Sequence, residues 1–342
     1  MPQPDYGVHM SLRLTPGKLA GLKAISDKRG VVAALALDQR GIVLQAIAKA
    51  QGKETVDRAL VTEFKEHVTE ILTRYASSIL LDVEYGLPAA KHRHSAGLMM
   101  AYEVSVIGGP PPRLPRLYDT WSVRRQKEFG ANAIKVLLNY SPYDPAEVND
   151  IKGAWIERIG DECRANDIPF ILELLGYGVQ EGGTKLAYAK KRPERIIRSM
   201  EEFSKDRYSV DMLKLEVPVD MHFVSGAKAF KGEQAYTLDE AKKHFVSASN
   251  ATDKPIVYLS AGVSNAEFIE TLNLAAESGG RYNGVLCGRA TWADGLTVFG
   301  KSGGKALDEW LETTGRENIE RVNKALEAAE PWTNQLEMAA VR

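Results

Sequence analysis

The sequence predicts a single (β/α)8 barrel, and three observations lead to this prediction. Eight short apolar or β-branched runs are spread along the chain. Most of them are almost continuously apolar, as expected for strands that are buried on both faces of a parallel sheet. Segments with helical spacing separate the runs, and strands that alternate with helices are typical of parallel α/β folds. At 342 residues and 44% hydrophobic content, the chain is long enough to bury one large core.

The strand candidates follow one another along the whole chain. They are the ranges 31–38, 77–86, 98–106, 133–140, 169–177, 212–219, 254–262 and 283–290. Two of the helical segments between them are EFKEHVTEILTRYA (63–76) and EVNDIKGAWIERIGDECRAND (147–167). The gap between the second and third strands is too short for a full helix. An open doubly wound sheet is the alternative, but no G-x-G-x-x-G motif follows the first strand and no P-loop motif occurs.

We expect residues 1–342 to form one domain. A short N-terminal extension covers about residues 1–15, and an amphipathic helix closes the chain at about residues 316–330. The proline-rich segment GGPPPRLPR (108–116) resembles a domain boundary, but strand-like runs continue on both sides of it. We therefore interpret it as a stiff surface loop within the domain.

Composition argues against several classes of partner. The 44 basic and 45 acidic residues give a formal charge of −1, so no global field attracts nucleic acid or an anionic membrane. No run approaches the roughly 20 apolar residues that a membrane span needs. Only two cysteines occur, Cys163 and Cys287, and the N-terminus has no apolar core of signal-peptide length. These features predict a reducing, cytoplasmic location.

Charged and polar side chains occur within or just after the predicted strands, where a barrel of this kind has its active site. They are Asp38, Gln39, Arg40, Asp82, Glu84, Lys135, Glu173, Lys214, Glu216, Ser260 and Arg289. One interpretation is a purely structural lattice of paired charges, in which Glu173 neutralises Lys135 or Lys214. Such pairing is expected because an unpaired buried charge costs several kcal/mol. The other interpretation is catalytic.

Lys214 lies in the apolar run DMLKLEVPVD (211–220), which favours the catalytic interpretation. A neighbouring cation and an apolar wall can lower the pKa of a lysine from about 10.4 to about 7 or 8. The neutral amine can then attack a ketone. Schiff-base chemistry also needs an acid that expels water and a base for the proton moved in C–C cleavage. We expect Lys214, Lys135, Glu173 and Asp38 to supply these groups.

Two glycine-containing segments after the last strands are candidates for phosphate binding. SAGVS (260–264) follows the seventh predicted strand, and GRAT (288–291) closes the eighth. Small residues let backbone N–H groups approach an anion, and an arginine adds a charge-assisted bond. The predicted phosphate ligands are Ser260, Ala261, Gly262, Gly288 and Arg289. The alternative is a pair of ordinary tight turns.

The histidines do not predict a metal site. Two of the six lie in KHRH (91–94), with i, i+2 spacing in a charged segment that has no cysteine pattern. Zinc sites have a different spacing and ligand set. We expect neither a metal nor a cofactor.

Several motifs together resemble the tagatose 1,6-diphosphate aldolase family. They are ALALDQRG (34–41), YASSILLDVEYGLPA (75–89), IERIGDEC (156–163), LKLEVPV (213–219), YLSAGVS (258–264) and NGVLCGRATWA (283–293). The likeness runs from about residue 15 to about residue 325. It implies a class I (β/α)8 aldolase that reversibly cleaves D-tagatose 1,6-bisphosphate to dihydroxyacetone phosphate and D-glyceraldehyde 3-phosphate. It also implies loose stereochemistry, a metal-free reaction, a role in tagatose 6-phosphate and lactose breakdown, and a homo-oligomer.

The resemblance also assigns roles to residues. The lysine of the LKxEVPV strand, here Lys214, forms the Schiff base in the family, and Glu173 matches the glutamate that acts in carbinolamine chemistry. Lys135 matches the second lysine. The DQRG loop brings Asp38, Gln39 and Arg40 to the substrate.

The choice of substrate stays open at this stage. The N-terminal extension and the proline-rich insert lie outside the matching motifs, and the insert is placed where it could border the site. A related branch cleaves 6-deoxy-6-sulfofructose 1-phosphate, which is one alternative. A regulatory protein that senses a sugar phosphate on the same scaffold is another.

Overall fold

Eight parallel strands close into a barrel in the computed structural model, which describes residues 14–104, 111–177 and 184–336. Strands adjacent in the chain pair with each other, and the eighth pairs with the first. The strands are β1 (Val32–Leu37), β2 (Ser78–Asp82), β3 (Gly97–Ala101), β4 (Ala133–Tyr140), β5 (Phe170–Gly176), β6 (Met212–Glu216), β7 (Ile256–Leu259) and β8 (Gly284–Cys287). The predicted barrel is confirmed, and every strand overlaps its predicted range.

Helices alternate with these strands along the chain. They are α1 (Pro16–Ala24), α2 (Gly41–Ala50), α3 (Ala59–Leu72), α4 (Val123–Phe129), α5 (Ala146–Ala165), α6 (Lys185–Phe203), α7 (Leu238–Asn250), α8 (Asn265–Ser278), α9 (Arg289–Trp292), α10 (Gly295–Trp310) and α11 (Arg316–Ala325). Only a 3-10 turn, Pro88–His92, lies in the short link between β2 and β3. None of the helices in the described ranges combines the length and the apolar character that a membrane span requires.

Two short two-stranded sheets, one antiparallel and one parallel, extend the barrel at its loops. Glu103–Val104, just after β3, pairs antiparallel with Arg116–Leu117. Val224–Ser225, after β6, pairs with Tyr236–Thr237. The first of these sheets returns the chain towards the barrel before α4, and it brings residues of the proline-rich segment close to the carboxyl ends of the strands.

The second strand is shorter than predicted. The apolar run continues to residue 86, but β2 ends at Asp82. The Asp82 carboxylate accepts hydrogen bonds from the backbone N–H groups of Glu84 and Tyr85, at 2.9 and 2.8 Å. This local turn competes with strand pairing, as Asp side chains often do.

The structure describes the predicted C-terminal helix but not the predicted N-terminal extension. The closing segment contains α11 and a 3-10 turn, Leu326–Ala328, and a π-helical turn, Leu311–Gly315, connects α10 to α11. Residues 1–13 of the predicted N-terminal extension lie outside the described residues, as do residues 108–110 of the proline-rich insert.

Apolar side chains form one cluster between the barrel and its helices and a second inside the barrel. The inner cluster has small residues from the strands, such as Ala34 and Ala133, and it includes Leu22 of α1 and the fully buried Trp332. Helix α1 packs closely across the start of the strands. A Cβ atom at Gly21 would lie 2.3 Å from the Asn132 carbonyl oxygen, so only glycine permits this contact. The amino end of the barrel is thus closed, and the carboxyl end is left for a site.

Candidate active site

A cavity of about 470 Å³ opens at the carboxyl ends of the barrel strands. Strand alternation sends every second side chain of β4, β5 and β6 into the barrel. Most of the predicted site residues line the cavity, namely Asp38, Gln39, Arg40, Glu173, Lys214, Ser260, Ala261, Gly288 and Arg289. Lys135 lies beneath it and is fully buried. The structure therefore brings residues from six strands of the barrel into one place.

Glu173 lies between two lysines in the barrel interior. Its Oε2 atom is 2.8 Å from Lys214 Nζ and 2.8 Å from Lys135 Nζ. The β5 and β6 strands place Glu173 and Lys214 side by side, because these two residues are register partners. All three side chains are at most 5% exposed. The predicted pairing of Glu173 with a lysine is thus real, and it involves both lysines.

Lys135 is surrounded by carboxylates. Its ammonium group donates to Asp38 Oδ2 at 2.7 Å and to Glu103 Oε1 at 2.9 Å, in addition to its contact with Glu173. Burial alone would lower the pKa of Lys135, but these three carboxylates raise it well above its usual range. Lys135 is therefore a permanent cation at neutral pH.

Asp38 directly follows β1 and lines the cavity. Burial would raise its pKa, but the charges of Lys135 and Lys214 lower the pKa of Asp38 far below its usual range. Asp38 is therefore ionised. Together, Lys135 and Asp38 provide a fixed positive and a fixed negative charge next to Lys214 and Glu173.

Arg40 lines the cavity but is already held by the protein. Its Nη2 atom donates to the Glu103 carbonyl oxygen at 3.1 Å, and its Nε atom is 3.6 Å from Asp82 Oδ1. The guanidinium lies 5.4 Å from the centre of the Tyr118 ring. Burial would lower the pKa of Arg40, but Glu103 and Asp82 raise it. Gln39, beside it, has a buried Oε1 atom with no hydrogen-bond partner in the described part of the chain.

The segment after β7 makes a sharp turn against Arg289. Ala261 and Gly262 both have positive φ, at 51° and 83°. A Cβ atom at Gly262 would lie 2.7 Å from the guanidinium carbon of Arg289, so the arginine packs directly on the glycine. Ser260 is 6% exposed and opens this turn, with the Val263 N–H donating to its carbonyl oxygen at 3.1 Å. The backbone and the guanidinium thus face the same side of the cavity.

Three other charged residues of the predicted set have separate partners. Glu84 accepts a hydrogen bond from Tyr118 and pairs with Arg58 at the surface. Asp82 is fully buried and pairs with Lys65 of α3. Glu216 lies at the cavity edge, where its carboxylate accepts from the Gly176 N–H at 2.9 Å.

Among the cavity residues that sequence reasoning missed are Glu103, Arg113 and Asn139. Asn139 was detectable, because it lies on β4 at even spacing from Lys135 and so points to the same face. Glu103 and Arg113 lie in the excursion after β3, whose path the hydrophobic pattern does not specify.

The chemistry available to the site follows from these groups. A lysine amine, a carboxylate in contact with it and a fixed neighbouring cation can support nucleophilic attack on a carbonyl group and the associated proton transfers. Arg289 and the Ser260–Gly262 turn can accept an anionic group of the same substrate. Within the described residues, no group of three or more His, Cys, Asp or Glu side chains is arranged to hold a metal ion.

Known proteins resemble this chain over nearly its whole length. Residues 32–294 match the sequence model of the DeoC/LacD family aldolases. The chain is 49% identical over 326 residues to tagatose 1,6-diphosphate aldolase of Listeria monocytogenes serotype 4a, covering 94% of this chain and 95% of that protein. It is 50% identical over 325 residues to tagatose 1,6-diphosphate aldolase 2 of Enterococcus faecalis, covering 94% and 97%.

A solved structure also resembles the fold. Fructose-bisphosphate aldolase from Plasmodium falciparum, solved in complex with TRAP and a small-molecule inhibitor, superposes with a TM-score of 0.68. The match covers 94% of this chain and 98% of that one, at 14% sequence identity. At this identity the likeness concerns the barrel and not the substrate.

Proposed function

This chain belongs to the DeoC/LacD family of aldolases, and from that premise we propose that it cleaves D-tagatose 1,6-bisphosphate through a lysine Schiff base. The products are dihydroxyacetone phosphate and D-glyceraldehyde 3-phosphate. The relatives described above are named for tagatose 1,6-diphosphate, which supports this substrate. Those names support neither the sulfofructose phosphate aldolase nor the sugar-phosphate-sensing regulator.

One observation supports the proposed mechanism most directly. The Glu173 carboxylate contacts both Lys214 and the permanently charged Lys135. Three carboxylates keep Lys135 positively charged. Lys214 and Glu173 both line the cavity in which a ketone would bind. Lys214 is the nucleophile in our proposal.

The proposed reaction begins when the Lys214 nitrogen attacks the C2 carbonyl of the ketose. Glu173 transfers protons at the carbinolamine, so that water leaves and a protonated imine forms. The C3–C4 bond then breaks, its electrons move into the imine as an enamine, and the C4 hydroxyl proton passes to a carboxylate as the aldehyde leaves. Protonation at C3 and hydrolysis release dihydroxyacetone phosphate and restore the Lys214 amine.

The remaining predicted residues bind and orient the substrate in this scheme. Arg289, Gly288 and the turn Ser260–Gly262 hold the phosphate on the ketone side. Lys135 positions Glu173 and Asp38, and Asp38 faces the substrate hydroxyl groups from the β1 side. Gln39 offers an amide whose oxygen is unpaired among the described residues.

We extend the proposal to the state of the protein in the cell. Residues 1–342 form one catalytic domain, and the enzyme is a cytoplasmic homo-oligomer. Both cysteines are buried free thiols, which suits a reducing compartment. The formal charge of −1 gives no reason to expect nucleic acid or a membrane surface as a partner.

A coupled assay for triose phosphate release tests the proposed function. The purified enzyme is given D-tagatose 1,6-bisphosphate, D-fructose 1,6-bisphosphate and 6-deoxy-6-sulfofructose 1-phosphate at equal concentrations. We expect the enzyme to release dihydroxyacetone phosphate from D-tagatose 1,6-bisphosphate. The kcat/KM for this substrate should be the highest of the three or equal to that for D-fructose 1,6-bisphosphate. Release from the sulfonate substrate alone would contradict the proposal.

A further inference from the structure

Resting on the proposed function, we infer that Arg113 and Asn139 form the subsite for the second phosphate of the substrate, the one on the aldehyde side of the cleaved bond. A ketose bisphosphate has a phosphate at each end of a six-carbon chain. The predicted phosphate ligands account for one of them. The opposite wall of the cavity has its own cationic and amide donors, and no role has been assigned to them so far.

Arg113 reaches the cavity from the proline-rich segment. It is partly buried, it lines the cavity, and its Nη1 atom donates to Asn139 Oδ1 at 3.3 Å. A planar guanidinium can form two parallel hydrogen bonds with phosphate oxygens, which makes arginine well suited to this ligand.

Asn139 supplies the second donor. It lies on β4, is 2% exposed and lines the same part of the cavity. Its Oδ1 atom accepts from Arg113, but its Nδ2 atom is buried and has no acceptor among the residues that the structure describes. Buried amide donors are nearly always paired, so an unpaired one that borders a cavity indicates a missing acceptor. A phosphate oxygen would be such an acceptor.

The segment that carries Arg113 is fixed to the barrel beside this point. The Tyr177 hydroxyl lies 2.9 Å from the Pro112 carbonyl oxygen, and the Tyr177 ring lies 5.1 Å from the Arg113 guanidinium carbon. The fully buried Lys152 contacts the same hydroxyl and pairs with Asp144 at 3.0 Å. Arg113 is therefore held in place before any substrate binds.

The position of the subsite fits the length of the substrate. In a closed barrel of eight strands, β4 lies four strands from β8 in either direction, so the two strands are on opposite walls. Asn139 is at the carboxyl end of β4, and Arg289 follows β8. Lys214, on β6, lies between these walls. A ketose that places C2 at Lys214 can therefore direct its two phosphates to the two walls.

The kinetic test compares a bisphosphate with a substrate that lacks the second phosphate. Arg113→Ala should reduce kcat/KM for D-tagatose 1,6-bisphosphate roughly 10- to 150-fold, mainly through KM, as expected for a lost charge-assisted bond. The same variant should change kcat/KM for D-tagatose 1-phosphate less than about twofold. Asn139→Asp keeps the size of the side chain but adds a negative charge, which would repel a phosphate. This variant should show the same selective loss of kcat/KM for the bisphosphate. Arg116→Ala, an exposed arginine of the same segment, is the matched control and should change neither value.

A binding measurement separates this inference from the proposed function. Hexitol 1,6-bisphosphate has no carbonyl group and cannot react, so calorimetry reports its binding alone. Wild type should bind it more tightly than hexitol 1-phosphate, and Arg113→Ala should abolish most of that difference. Tight binding without any aldol cleavage would reject the proposed function and retain the subsite. Equal losses on both substrates, or an Arg113→Ala variant that keeps the full preference for the bisphosphate, would overturn the subsite.

Discussion

Replacing Glu173 with glutamine removes one negative charge from between two lysine side chains and keeps the size of the side chain. In the structure, a single carboxylate oxygen of Glu173 lies 2.8 Å from both Lys135 Nζ and Lys214 Nζ. An amide at this position can neither accept a proton from the carbinolamine nor return one. We expect kcat to fall about 10²-fold or more, the range seen when a general acid or base is lost.

The same substitution should leave the protein folded. Removing one partner of a buried ion pair costs roughly 3–5 kcal/mol when the other charge is left alone. Lys135 keeps Asp38 and Glu103 at 2.7 and 2.9 Å, so its charge remains compensated. Lys214 loses its ion pair with Glu173 but keeps a glutamine oxygen as an acceptor, so the free energy of unfolding of Glu173→Gln should decrease by no more than the cost of one broken pair.

The assay measures triose phosphate release at saturating D-tagatose 1,6-bisphosphate, corrected for the folded fraction from urea unfolding. Glu84→Gln is the matched control, because Glu84 pairs with Arg58 and Tyr118 away from the lysines. It should retain the wild-type kcat. If Glu173→Gln kept full activity per folded molecule, Glu173 would be a structural counter-ion only, and the proposed proton transfers would need another group.

Three further substitutions test the surrounding residues. Arg289→Ala should lower kcat/KM for the bisphosphate roughly 10- to 150-fold. The kcat/KM for a substrate without the ketone-side phosphate should scarcely change. Equal losses on both substrates would refute a phosphate role for Arg289. Gly262→Val should reproduce that selective loss, because its Cβ would collide with Arg289 and its φ of 83° is unfavourable for valine; unchanged kinetics would contradict the close contact. Asp38→Asn tests the lowered pKa of Asp38, since an ionised Asp38 stabilises the fold above about pH 4 and this contribution is lost as the pH falls. Urea unfolding at several pH values should show a flatter acid limb for Asp38→Asn, and parallel curves for variant and wild type would argue against the ion pair.

The charged residues on the strands could be predicted because the barrel imposes a simple rule on them. A charged residue inside an apolar strand must face the interior or the helices, and an interior position needs a partner. Lys135, Glu173 and Lys214 satisfy this rule, and the structure places them in mutual contact through Glu173. The same rule would have identified Asn139, which shares their face.

The residues after β3 could not be predicted in this way. Glu103 meets Lys135 because a two-residue strand turns the chain back across the barrel mouth. Arg113 reaches the cavity because Tyr177 and its neighbours hold the preceding proline. Both placements depend on contacts between segments that are distant in sequence, and neither leaves a periodic pattern. The early end of β2 at Asp82 has a local cause, a side chain that caps the following turn, which hydrophobicity alone does not reveal.

The most direct test of the central claim is reductive trapping of the enzyme with its ketone product. Sodium borohydride added together with dihydroxyacetone phosphate should inactivate the enzyme, and mass spectrometry should place the added mass on the peptide that contains Lys214. Borohydride alone should not inactivate it, Lys214→Met should not be labelled, and EDTA should leave wild-type activity unchanged. Labelling of Lys135 or another lysine, or loss of activity on chelation, would contradict a Schiff base at Lys214.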